Sequence, residues 1–118
     1  MKMTRRIFKK TFKRILRRCC TIMDRKNQDY ATEGNAISNF TKCLSMGVMP
    51  SKSVLVRLCD KFARLCELSR KEMEGYKPSV ADESLLDTVL DIINYSVIYV
   101  LLREEEERLG LGKKGNNG

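Results

Sequence analysis

Asp87 and Asp91 stand four residues apart in DESLLDTVLDIINY, a spacing that projects both carboxylates from one face of a helix. Two such acids can share a divalent cation, since Mg²⁺ takes oxygen ligands and is usually held by one or two carboxylates together with substrate phosphates. Asp60, in VLVRLCDKFARL, would complete the set, and Arg57, Lys61 and Arg64 around it would then contact phosphates. The plainer reading is a solvated surface, on which Asp60 and Arg64 form an ordinary i, i+4 pair worth a few tenths of a kcal/mol. What favours a site is the stripe of Glu83, Asp87, Asp91 and Asn94, which turns apolar at Ile98. A polar line that ends in an apolar one puts the acids at the mouth of a cleft.

The elements that must position these groups follow from periodicity. Phe8, Phe12, Ile15, Leu16, Cys19 and Met23 form one helical stripe, with Arg6, Lys9, Lys10, Lys13, Arg14, Arg17 and Arg18 mainly on the opposite side. A short helix is expected over Asn35 to Met46, ended by Gly47 and Pro50. A third is expected from Ser51 or Ser53 to Met73, with Leu55, Leu58, Cys59, Phe62, Leu65, Cys66 and Ser69 on its inner face. The sequence SVAD offers a capping box from Ser79 to Asp82, opening a long helix that ends near Leu109. In this last helix Leu85, Leu86, Val89, Leu90, Ile92, Ile93, Ser96, Val97, Val100 and Leu101 cover more than half the circumference, so it should be the central one.

The pattern predicts an all-α, four-helix bundle-like single domain, or a half-bundle completed by a second copy, which makes a homo-oligomer the expected state. Residues 1–26 are the basic amphipathic N-terminal helix, 27–109 the helical domain that carries the site, and 110–118 a tail that its composition predicts to be flexible.

Composition narrows the chemistry. At 118 residues the chain should bury roughly two-thirds of its unfolded surface, enough for one core without metal or disulfide staples. It has no His, which removes the commonest general base and the triads built on it. The five cysteines form no CxxC pair, and Cys59 and Cys66 are expected as buried small hydrophobes of a reduced, cytoplasmic protein. The basic start has no apolar segment after it of the kind a secretory signal needs, and the longest apolar run, Val97 to Leu102, is too short to span a bilayer.

Charge is confined to one end. Residues 1–26 carry eleven Lys or Arg against one acid, a net of +10, while the rest of the chain nets −2. This helix could seek phosphates on nucleic acid, a nucleotide or an anionic membrane, or simply dock its apolar stripe and leave a basic back in water.

Between the basic helix and the rest lies RKNQDYATEGNAISNF, which packs Lys26, Asp29, Tyr30, Asn35, Asn39 and Phe40 into a stretch where a plain linker would need only polar residues and a Gly. The successive motifs KNQDYA, ISNF, VLVRLCDKFARL and DESLLDTVLDIINYSVIYVLL together resemble the nucleotide modification associated domain, a family of small helical proteins found largely in phages and bacteria. The likeness runs from about Lys26 to Leu102. It implies a binding surface for a phosphorylated nucleotide built from Lys26, Asp29, Tyr30, Asn39, Arg57, Lys61, Arg64, Asn94 and Tyr95, with Asp60, Asp87 and Asp91 holding Mg²⁺ or ligand hydroxyls and Tyr30 or Tyr95 stacking on a base.

The final helix also resembles that of MazG-type nucleotide pyrophosphohydrolases, which implies metal-assisted attack of water on a phosphoanhydride. Those enzymes carry paired acids on two helices, whereas the third helix here offers Asp60 alone, with Glu67 two turns away. Three functions are thus expected in competition. They are nucleotide binding with or without hydrolysis in the host cytoplasm of a phage, non-catalytic sequestration of a nucleotide signal in counter-defence, and a nucleic-acid accessory role for the basic helix.

Overall fold

Thr4 opens the first helix by accepting the Ile7 N–H on its hydroxyl, at 3.2 Å. With no Gly or Pro until Gly34, nothing stops the helix at residue 26, and α1 runs Arg5–Tyr30. Lys26, Asp29 and Tyr30 therefore belong to its last turns and not to a connector. In the computed structural model residues 1–30, 34–75 and 84–112 are described. The side chains of Asp29 and Tyr30, the Ser79–Asp82 capping box, Glu83 and residues 113–118 lie outside the described residues.

The short second helix is split. Asn35 Oδ1 accepts the Ile37 N–H at 3.1 Å, α2 covers only Ser38–Thr41, and a 3₁₀ segment continues over Lys42–Met46. Gly47, at φ 75°, supplies the left-handed residue that ends it. Pro50 then takes the first position of α3 (Pro50–Met73), where its missing N–H costs nothing. The helix that follows, α4 (Ser84–Arg108), confirms that YSVIYVLL is helical despite its β-branched residues. Among the described residues there is no strand, and the chain is all-α.

α3 begins without a local cap, because Met49 makes no side-chain hydrogen bond. Its first turn is capped from the other end of the sequence. Glu106, near the end of α4, accepts the Ser51 N–H at 2.8 Å and the Ser51 hydroxyl at 2.7 Å, and both residues are buried. A carboxylate at a helix N-terminus is favourable with the helix dipole and with the unpaired N–H groups there. Arg103 lies 3.5 Å from the same carboxylate.

α4 packs chiefly on α3 and also on α1, so it is the central helix as its sequence predicts. The buried core is small: Cys19 from α1, Val54 from α3, and Leu90 and Leu102 from α4. Several residues expected inside stand in water. On α4, Ser96, Val97, Val100 and Leu101 are exposed, on α3 Phe62, Cys59, Cys66 and Ser69, and on α1 Phe8, Phe12, Leu16 and Met23. The apolar stripes are wider than the neighbouring helices of one chain can cover. The radius of gyration, 17.7 Å, exceeds the roughly 13–14 Å of a compact chain of this length.

By length and composition alone, α4 over Leu85–Arg108 is also apolar enough to cross a membrane, longer than its longest uninterrupted apolar run implies. Within this segment Asp91 is ion-paired to lysines of α1 and α3. Those pairs are what a bundle helix makes with its neighbours.

Candidate functional site

A cleft of about 410 Å³ opens where the last turns of α1, the α2 segment and one side of α4 meet, with Arg57 of α3 at its wall. Its lining divides by chemistry. Lys26, Arg57 and Asp91 are charged, Asn27, Asn39 and Asn94 carry amides, and Phe40 and Tyr95 are aromatic, while Met23, Ala36, Ile37, Ile98 and Leu101 close the apolar part. The apolar turn expected at Ile98 is there, and it forms cleft wall.

Asp91 anchors the charged end. Lys26 reaches its Oδ1 and Lys61 its Oδ2, each at 3.1 Å, so one carboxylate from α4 ties α1 to α3. Burial by itself would raise this carboxyl, but hydrogen bonds from Lys61 and Lys26 outweigh it and hold Asp91 below the ordinary aspartate range. A carboxyl whose pKa falls on folding binds fewer protons in the folded chain. Its contribution is therefore whole above the unfolded value of about 3.9 and is lost as pH falls through the lower folded value. Asp91→Asn is thus expected to be less stable than the unchanged chain at neutral pH, with the gap closing on acidification below pH ~4. Urea unfolding midpoints measured down the pH scale check this, and a gap that stayed constant to the acid limit would remove the clasp as its cause.

The aromatic end is organised by Arg57. Its guanidinium carbon lies 5.5 Å from the centre of the Phe40 ring and 6.0 Å from that of Tyr95, so one cation sits against two rings from different elements. Asn27 donates its side-chain N–H to the Ala36 carbonyl at 2.7 Å and fixes the start of the α2 segment against α1.

Of the sequence-predicted residues, Lys26, Asn39, Arg57, Asp91, Asn94 and Tyr95 come together in the cleft, and Lys61 adjoins it through Asp91. Asp60, Asp87 and Arg64 do not join them: all three are exposed and none lines the cleft. Helical geometry separates Asp60, while Arg64 lies two turns along α3 from Arg57. Lys61 faces Asp91, and its neighbour in sequence is turned about 100° away. Asn27, Ile37, Met23 and Leu101 were not foreseen as lining. Asn27 lies inside the KNQDYA motif, which was the available signal.

Among the described residues no group of three Cys, Asp or Glu side chains could hold a metal ion. Both oxygens of Asp91 are bonded to lysines, and Asp60 and Asp87, expected beside it as metal ligands, are exposed and do not line the cleft.

Comparison with known proteins returns no significant match: not to a family model, not to a curated protein and not to a solved structure. The chemistry of the cleft therefore rests on its own geometry.

Proposed function

We propose that the cleft binds a phosphorylated nucleotide and holds it without hydrolysing it. The observation that carries this is the placing of Arg57 against Phe40 and Tyr95 in a cleft that also holds Lys26 and three amides. Cations answer a phosphate, an aromatic face answers a base, and Asn side chains can donate to and accept from base or sugar edges. The volume, about 410 Å³, falls within the roughly 300–1,000 Å³ of small-molecule sites. The motif resemblance points the same way.

Sequestration is favoured over hydrolysis by the state of Asp91. A cation arriving with the ligand would compete with Lys26 and Lys61 for Asp91, the one carboxylate among the described residues that line the cleft. Titration calorimetry with nucleoside mono- and triphosphates, and with the matching nucleosides as controls, tests the reading. Binding is expected for the phosphorylated forms, to persist in chelator and to return the ligand intact. Equal affinity for nucleosides, or none for any nucleotide, would defeat it.

A second reading concerns α1. Arg5, Arg6, Lys9, Lys10, Lys13, Arg14 and Arg17 are exposed and make no ion pair among the described residues, which leaves their charge available to the phosphates of a nucleic acid. A protein making six to ten phosphate contacts loses on the order of 10³-fold or more in affinity between 50 and 200 mM salt. Fluorescence anisotropy with duplex and single-stranded DNA should show a fall of that kind, and Lys9→Glu with Lys13→Glu and Arg17→Glu should abolish binding. A flat salt dependence rules this role out.

A further inference from the structure

The exposed surface of the chain is 9462 Å², whereas a folded monomer of 13.6 kDa exposes roughly 6,600 Å². The excess of roughly 2,900 Å² is more than three times the roughly 800 Å² per partner of a specific interface. The uncovered area is apolar where it matters. On α4, Val97 is 61% exposed and Val100 55%, and Leu101 beside them is 46% exposed; on α1, Phe12 is 55% and Leu16 41% exposed. Met23 of α1 and Leu101 of α4 line the same cleft, so the two uncovered edges meet.

We infer that this α1/α4 face is the interface of a homodimer, in which the exposed side of α4 packs on the same side of α4 in a second copy, flanked by the apolar edges of the two α1 helices. Met23 and Leu101 belong to the cleft wall as well as to this face, so the proposed interface borders the cleft. Among the described residues four hydrophobic side chains are buried, Cys19, Val54, Leu90 and Leu102, and the apolar edges of α1 and α4 left in water call for a cover. A second copy supplies that cover for the exposed side of α4, because a two-fold interface is self-complementary. Nucleic acid has no use for a row of valines. The basic sector of α1 lies round the helix from its apolar edge, so pairing does not force the like charges together.

Sedimentation equilibrium of the full chain tests the inference. The expected mass is twice 13.6 kDa, and Val97→Asp with Val100→Asp should halve it. Neither side chain lines the cleft. Should that variant fail to fold, the unchanged chain still decides. A dimer shows a melting temperature that rises with protein concentration, because association and folding are linked. A mass of one chain with a concentration-independent melt would overturn the proposal. So would a doubled mass that the two substitutions leave intact, which puts the interface elsewhere, or a single chain that floats with phosphatidylserine vesicles, which assigns the face to a lipid surface.

Discussion

Glu106→Ala is expected to cost about 3 kcal/mol of folding free energy. Its carboxylate accepts both the N–H and the hydroxyl of Ser51 in a buried setting, at 2.8 and 2.7 Å, where no water can substitute. Truncation leaves two buried donors unmet, each worth about 1–3 kcal/mol, and withdraws the negative charge from the start of α3. No local residue can take over, since Met49 makes no side-chain cap. Glu106→Gln keeps an acceptor of the same shape and should recover about half of the loss. Urea unfolding at one fixed protein concentration measures both, and a loss under about 1 kcal/mol for the alanine variant would show that the cap is dispensable.

Arg57→Ala is expected to weaken nucleotide binding roughly a hundredfold, the equivalent of about 2–3 kcal/mol for one charge-assisted hydrogen bond to a phosphate. Arg57→Lys should fall between, since it keeps the charge and gives up the planar stacking on Phe40 and Tyr95. The same calorimetric titration reads both variants. Were alanine and arginine to bind equally well, the aromatic end of the cleft would lose its proposed cation.

The helices were legible in the sequence because their apolar spacing is regular and their stops are chemical: Gly47, Pro50 and Gly75 lie within a residue or two of the observed ends. What the sequence could not reveal was how wide a stripe one chain can cover. Phe62, Cys59 and Val97 sit on faces that read as inner by period, yet all three are exposed. The Glu106 cap was equally hidden, since capping rules search the residues next to a helix and this one lies 55 positions away.

The site was half legible. The polar stripe that runs into Ile98 carries Asp91 and Asn94 into the cleft lining, and Arg57, which the sequence offers on α3 as a phosphate contact, lines it too. Asp60 and Asp87 were grouped with Asp91 because carboxylates four apart or on adjacent helices look alike in a sequence. The structure separates them by rotation about α3 and by one turn along α4, and gives lysines to the acid that remains.

A helix of four residues has hardly any internal hydrogen bonding, so α2 cannot keep its own place. It is gripped from outside, by Asn27 on the Ala36 carbonyl and by Arg57 on the Phe40 ring. The cleft's cation and the wall it touches are thus joined by one contact. A guest that draws the guanidinium toward itself slackens that wall, and a guest that pushes Phe40 outward dislodges the cation, so neither can be shifted alone.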